Sequence, residues 1–118
     1  MNRNKHRGTA FERFCADGFA EVLKDDRVDR APLRGSGDRG DIANLVVPFG
    51  KIAVEVKHVS RLDLAGWVDE AETERGNADA IAGIVIHKRR GKGQFRDQYV
   101  TMRVSDLLAI GWGITDAV

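Results

Sequence analysis

The amino-acid sequence predicts an α/β domain in which a central mixed sheet of about four to five strands is flanked by helices. Apolar residues recur with helical spacing over residues 9–24, and later runs rich in β-branched residues lie between glycine-containing turns. The elements follow in the order α-β-β-β-α-β-β-α when a weak strand near Val28 is counted. A chain of 118 residues can build one hydrophobic core, so we expect a single domain over residues 1–118.

The first helix is predicted over residues 9–24 from its apolar face. That face consists of Phe11, Phe14, Cys15, Gly18, Phe19, Val22 and Leu23. Cys15 is the only cysteine and lies within the face, so we expect it to be a core thiol. Glu12 lies at the edge of the face, where its carboxylate either points toward the rest of the protein or extends to solvent.

The middle of the chain predicts a β-hairpin that carries charged residues. Residues 41–47 and 51–58 are rich in β-branched residues and flank the turn sequence Pro48-Phe49-Gly50. Side chains alternate between the two faces of a strand, so Glu55 and Lys57 share one face in an otherwise apolar run. Burial of these charges is costly unless they are paired or bind a metal.

The remaining elements are a second helix, a buried strand, a last strand and a short final helix. Their predicted bounds are a helix from a Ser60–Asp63 cap to Gly76, strands over residues 80–87 and 99–104, and a helix from Ser105 to Ile110.

The composition excludes several classes of protein. No apolar run approaches the roughly 20 residues of a membrane span, and the basic N-terminus lacks the apolar stretch of a signal peptide. A single cysteine gives no reason to expect an oxidising compartment, so we expect a cytoplasmic protein without membrane contact. The net charge of +1 is small, but basic residues crowd two segments and could form one face for nucleic acid, or be solvated surface.

Asp41 and Glu55 are the candidate metal ligands. The predicted hairpin brings Asp41, at the start of its first strand, near Glu55. Two carboxylates about 4 Å apart repel by roughly 4 kcal/mol at an effective dielectric constant of about 20, and a divalent cation removes that repulsion. Oxygen ligands without a Cys or His cluster favour Mg²⁺ or Mn²⁺. The alternatives are a turn aspartate at position 41 and an exposed Glu55–Lys57 ion pair on an edge strand.

Four features in order resemble the PD-(D/E)xK nuclease superfamily, and more closely its archaeal-type Holliday junction resolvases. They are Glu12, the loop Arg34-Gly35-Ser36-Gly37, Asp41, and the Glu55-Val56-Lys57 run. The resemblance covers roughly residues 8–58 and implies a restriction-endonuclease-like core that forms a single nuclease domain. It also implies Mg²⁺-dependent (or Mn²⁺-dependent) hydrolysis of phosphodiester bonds.

The resemblance assigns a role to each matching residue. Asp41 and Glu55 would ligate the metal, and Glu12 would bind it or orient a ligand, directly or through water. Lys57 would position the attacking water or stabilise the transition state. Ser36 in its glycine loop would contact the scissile phosphate.

The sequence departs from the family pattern in two places and leaves one choice open. Gly40, not proline, precedes Asp41, and no glutamine follows in the second helix. Glu70 and Glu74 are the candidates for that helical position. Asp38 competes with Asp41 as the metal ligand, and we favour Asp41 because the residues after it continue into a strand.

The expected partner is branched or four-way DNA, bound by a homodimer whose two-fold symmetry matches a junction. The candidate DNA-binding residues are Arg3, Lys5, Arg7, Arg34, Arg39, Lys88, Arg89, Arg90 and Lys92. Trp112 and Ile114 are candidates for the dimer interface, whereas Trp67 is expected in the core. Other possible functions are a nuclease for flaps, nicks or restriction sites, and a non-catalytic nucleic-acid-binding module.

Overall fold

A computed structural model describes residues 3–32 and 37–116, with side chains from residue 7 onward. The described elements, in chain order, are α1 (Arg3–Leu23), β1 (Asp29–Arg30), β2 (Ile42–Ala43), β3 (Val46–Val47), β4 (Gly50–Lys57), α2 (Leu64–Ala78), β5 (Ala82–His87), a 3₁₀ turn (Phe95–Asp97), β6 (Tyr99–Thr101) and α3 (Val104–Trp112). They confirm the predicted α/β class. None of the described helices has both the length and the apolar character that a membrane crossing requires.

The sheet is mixed, as predicted. Its strand order is β1-β2-β4-β5-β6, with β3 paired to the beginning of β4. β4 and β5 are parallel and are connected through α2, while the other pairs are antiparallel. The described residues form six strands rather than the expected four to five, because the strand predicted over residues 41–47 is divided and the weak strand near Val28 does form.

A β-bulge divides the first strand of the hairpin. Ile42 pairs with Val54 and Val46 pairs with Lys51, so three residues, 43–45, lie opposite only two, 52–53. The extra residue is accommodated where Asn44 adopts a left-handed conformation with φ of 68°. This bulge changes the register of the hairpin and therefore decides which residues share a face.

The core lies on both faces of the sheet. On one face, α1 packs Phe11 and Cys15 into a cluster with strand residues such as Val54. On the other face, α2 packs Trp67 against the sheet beside Val85, which confirms the predicted core positions of Cys15 and Trp67. The two helices therefore enclose β4 and β5, and side chains from either helix can reach the end of β4.

The helix ends differ from the prediction. Asp63 itself caps α2 by accepting a hydrogen bond from the Gly66 N–H, and Asp79, rather than Gly76, ends the helix in the left-handed conformation. Arg103, rather than the predicted Ser105, caps α3, and the Asp106 carboxylate accepts the Arg103 N–H. In each case a carboxylate or a left-handed residue satisfies a free backbone group at the helix end.

Candidate active site

Asp41 and Glu55 lie together at the point where β2 and β4 meet. Asp41 directly precedes Ile42, which pairs with Val54, so Asp41 lies against residues 54–56 of β4. The Asp41 N–H donates to the Val54 carbonyl over 2.7 Å, and its Oδ2 accepts the Val56 N–H over 2.7 Å. The backbone on either side of Glu55 therefore holds Asp41 in place, with its carboxylate beside that of Glu55.

The loop before Asp41 explains why glycine occupies position 40. Gly40 has a φ of 104°, and an added Cβ would come within 2.8 Å of the Val54 carbonyl oxygen. The Gly40 N–H donates to Asp38 Oδ1 over 2.9 Å. Proline has neither that φ nor that donor, so glycine rather than proline fits position 40. One oxygen of Asp38 thus stabilises the loop, and the geometry favours Asp41 as the partner of Glu55.

Glu55 is a buried acid at the centre of the site. Its side chain faces α2, and the residue is only 6% exposed. Burial, together with contact to the carboxyl groups of Asp41 and Glu74, raises its pKa far above the ordinary value. Three acidic groups in contact cannot all be ionised unless a cation joins them, so this cluster holds either a proton or a metal ion.

Helix α2 adds two more acids to the cluster. One ligand oxygen each from Glu55, Glu70 and Glu74 lies within 4.8 Å of the others. Glu74 is 4% exposed, and its Oε2 has no hydrogen-bond partner among the described residues. Burial raises its pKa to about 7. Both acids were named from the sequence only as substitutes for a missing glutamine, and the structure places them around Glu55.

A pattern in the sequence could have singled out Glu74. The buried residues of α2 are Trp67, Ala71 and Glu74, at the i, i+4, i+7 spacing of a core-facing stripe. Glu74 therefore occupies a position where an apolar side chain is expected. An acid in a core stripe needs a compensating partner, which is the same argument that identified Glu55.

Lys57 lies on the same face as Glu55 and pairs with α2. Its Nζ is 3.1 Å from Glu70 Oε2. Burial lowers the pKa of Lys57, but the hydrogen bond to Glu70 and the charge of Glu55 outweigh burial, and the net change is upward. The ammonium is therefore charged at neutral pH and lies beside the acidic cluster.

Glu12 reaches the same region from the opposite helix. It lies in α1, is half-buried, and has a carboxylate oxygen 3.5 Å from a guanidinium nitrogen of Arg30. Burial and the negative charge of Asp41 raise its pKa, so the two carboxylates lie close enough to repel each other. Arg30 was not identified from the sequence, because it lies in a two-residue strand that carries no periodic signal.

A groove with basic residues lies at the ends of β4 and β5, beside His58. It has a volume of about 490 Å³ and is lined by three of the predicted DNA-binding residues, Arg7, Lys88 and Arg90. The Lys88 ammonium also donates to the backbone carbonyls of Arg89 and Lys92, so it stabilises the turn it belongs to. The chain thus places cationic side chains at the strand ends that follow Glu55 and Lys57.

The other predicted DNA-binding and loop residues have mixed locations. Arg89 packs over the Tyr99 ring at 5.2 Å, and Lys92 is exposed in the same turn. Arg39 is exposed and lines a separate cavity of about 220 Å³. Arg34 and Ser36, and the side chains of Arg3 and Lys5, lie outside the part of the chain that the structure describes.

A cavity of about 510 Å³ between α2 and α3 is the main alternative site. Four of its charged lining residues are already paired, Arg75 with Glu72 and Arg103 with both Glu72 and Asp106. Asp106 also accepts the Gly83 N–H. This network joins the two helices to β5 and leaves the acidic cluster around Glu55 as the stronger candidate for chemistry.

The comparisons with known proteins found no family model, no curated protein and no solved structure that matches this chain. The described residues form an acidic cluster around Glu55 between α1 and α2, with Lys57 beside the cluster and a basic groove next to it.

Proposed function

We propose that this protein is a cytoplasmic, metal-dependent endodeoxyribonuclease of the PD-(D/E)xK type that cleaves branched DNA, with four-way junctions as its preferred substrate. One observation carries the proposal: Asp41, Glu55 and Lys57, which are separated in the sequence, converge at one end of β4. Glu12 approaches them from α1. The convergence reproduces the arrangement that the sequence motifs imply.

The donor set at this site fits a hard divalent cation. The side chains are carboxylates, and the low dielectric around the buried Glu55 strengthens the attraction between a cation and its ionised carboxylate. Asp41 and Glu55 would hold Mg²⁺ or Mn²⁺, with Glu12 as a further ligand or as the acceptor for a bound water. Such an ion, when bound, lowers the pKa of water and offsets negative charge on a phosphate.

The protein's own side chains perform the remaining tasks. Lys57 keeps its proton, so its ammonium can donate a hydrogen bond to the attacking water or to a phosphate oxygen. The Val56 N–H holds the Asp41 carboxylate in one orientation, which reduces the reorganisation that ligand binding would otherwise require.

The basic groove supports DNA as the substrate. Arg7, Lys88 and Arg90 are placed to bind phosphates of the backbone, contacts that position a duplex without reading its sequence. A homodimer would present two such sites to the two symmetry-related strands of a junction.

The decisive test is cleavage of labelled four-way junction, flap and linear duplex DNA, with Mg²⁺ and with chelator. We expect Mg²⁺-dependent cleavage that favours the junction. Asp41→Asn and Glu55→Gln should each reduce the rate at least about 100-fold, because each removes a charged ligand. Both variants should still bind junction DNA at low salt, as measured by fluorescence anisotropy.

Asp69→Asn is the matched control, since Asp69 is an exposed acid on α2 outside the cluster. Full activity in the Asp41 variant would refute the site. Equal rates of cleavage for linear duplex and four-way junction would indicate a nuclease without junction selectivity. Tight junction binding without cleavage of any substrate would instead support a non-catalytic binding module.

A further inference from the structure

We propose that α2 contributes to the metal centre, with Glu55, Glu70 and Glu74 as three ligands of one divalent cation. This inference extends the proposed function, because the two residues from α2 are additional to the ligands that the sequence motifs imply. Glu55 is common to both sets: its carboxyl group contacts that of Asp41, whose charge also acts on Glu12, and it lies near ligand oxygens of Glu70 and Glu74.

The unpaired oxygen of Glu74 is the strongest evidence for this site. Glu74 is almost completely buried, yet its Oε2 has no hydrogen-bond donor within the described part of the chain. The Glu74 side chain hydrogen-bonds Glu55, but a buried carboxylate oxygen without a partner still costs stability, and a bound cation would satisfy it. Among the described residues, neither Glu55 nor Glu74 forms an ion pair that would satisfy it in another way.

The spacing of the three oxygens suits a small cation. They lie within 4.8 Å of one another. Ligands about 2.1 Å from Mg²⁺ or Mn²⁺ are roughly 3–4 Å apart, so a shift of less than about 1 Å per side chain would complete the site. α2 is held tightly enough to place its ligands, because an added Cβ at Gly83 would lie 2.4 Å from the Ala71 carbonyl oxygen.

Glu70 has to exchange partners when the cation binds. It is 3.1 Å from the Lys57 ammonium and is half exposed, so it can rotate. Ligation of a cation by Glu70 would release Lys57 to donate a hydrogen bond toward DNA. The ion pair thus holds Lys57 beside the acidic cluster, and cation binding would make the lysine available for catalysis.

The experiment is a titration of the chelator-treated protein with Mn²⁺. Electron paramagnetic resonance measures the concentration of free Mn²⁺ at each point. Glu74→Gln should weaken Mn²⁺ binding at least about tenfold, and Glu70→Gln should weaken it several-fold. Asp69→Asn, which changes the same charge on an exposed part of α2, should bind as the wild type does. Circular dichroism of each variant verifies its fold, and the exposed Glu70 provides a variant that cannot disturb the core.

Wild-type affinity in both the Glu74 and Glu70 variants would overturn the inference, as would a wild-type protein that binds no Mn²⁺. Two combinations of results distinguish failure of this inference from failure of the proposed function. Binding that depends on Glu74, in a protein that cleaves no DNA, supports the cation site and rejects the nuclease. Cleavage with Mn²⁺ affinity unaffected by either substitution supports the nuclease and rejects the α2 ligands.

Discussion

Glu55 and Glu74 occupy positions that apolar residues fill in an ordinary core. Each is buried, and each has its pKa raised by that burial and by neighbouring acids. Without a cation, both therefore reduce the stability of the folded state at neutral pH. Buried groups of this kind mark functional sites more often than they serve stability.

The pH dependence of stability should reveal the cost of Glu74. Its pKa rises from the ordinary 4.5 to about 7 in the folded protein. Between these values the unfolded chain loses the proton while the folded chain keeps it, so the free energy of unfolding falls as pH rises from about 4.5 to 7. The Glu74→Gln variant has no carboxyl group to titrate at this position. At pH 7.5 in the presence of chelator, its free energy of unfolding should exceed that of the wild type by about 1–3 kcal/mol.

Urea denaturation at pH 4 to 8 in the presence of chelator would measure this difference. The advantage of the Gln variant should shrink toward zero near pH 4, where both folded and unfolded states carry the proton. A difference that stays the same at every pH would show that Glu74 does not titrate in this way.

The β-bulge in the hairpin determines whether Asp41 lies beside Glu55. Continued from the turn, the Val46–Lys51 register would place Asp41 opposite Val56, on the face covered by α1. The extra residue at 43–45 shifts the register by one, and Asp41 instead hydrogen-bonds Val54 and Val56 with its carboxylate beside that of Glu55. A strand of uninterrupted pairing would therefore have separated the two carboxylates.

The close contact of α2 with β5 predicts a strong effect at Gly83. A Cβ there would lie 2.4 Å from the Ala71 carbonyl oxygen, which is backbone and cannot move without displacing the helix. Gly83→Ala should therefore lower the free energy of unfolding by about 2–4 kcal/mol in urea denaturation. The control is Gly76→Ala in α2, where a Cβ meets nothing within 4 Å and should stabilise by up to about 1 kcal/mol. Equal stability of the two variants would contradict this packing.

An exposed apolar patch at one end of the molecule is the candidate dimer interface. Trp112 is 62% exposed, Phe49 is 53% exposed, and Ile114 is also exposed. Phe49 lies against the end of α3, since an added Cβ at Gly113 would be 2.7 Å from its ring. The turn of the hairpin and the end of α3 thus form one surface, which includes both residues predicted for the interface.

Sedimentation velocity at micromolar concentration tests the proposed homodimer. Trp112→Ser should raise the dissociation constant at least about tenfold, because a buried tryptophan contributes well over 1.4 kcal/mol to an interface. Val22→Ser, an equally exposed apolar residue on α1, should leave the association unchanged. A wild-type protein that sediments as a monomer throughout would exclude the homodimer.

Local patterns in the sequence were sufficient to predict most of the elements and to single out Glu55 and Lys57 as candidate site residues. Helical and alternating periodicities identified α1, α2 and the long strands, because those periods come from backbone geometry alone. The charges at Glu55 and Lys57 stood out because they interrupt an apolar strand. The ends of the helices were less predictable, since several nearby residues can cap the same free backbone groups.

The sequence by itself determined an α/β domain with a mixed sheet and a set of acids suited to a metal. Only the tertiary structure decided how those acids meet. The bulge at Asn44 sets the face of Asp41, and the packing of α2 on Gly83 brings Glu70 and Glu74 to Glu55. These relations join residues far apart in the chain, so they follow from register and packing, which no local pattern encodes.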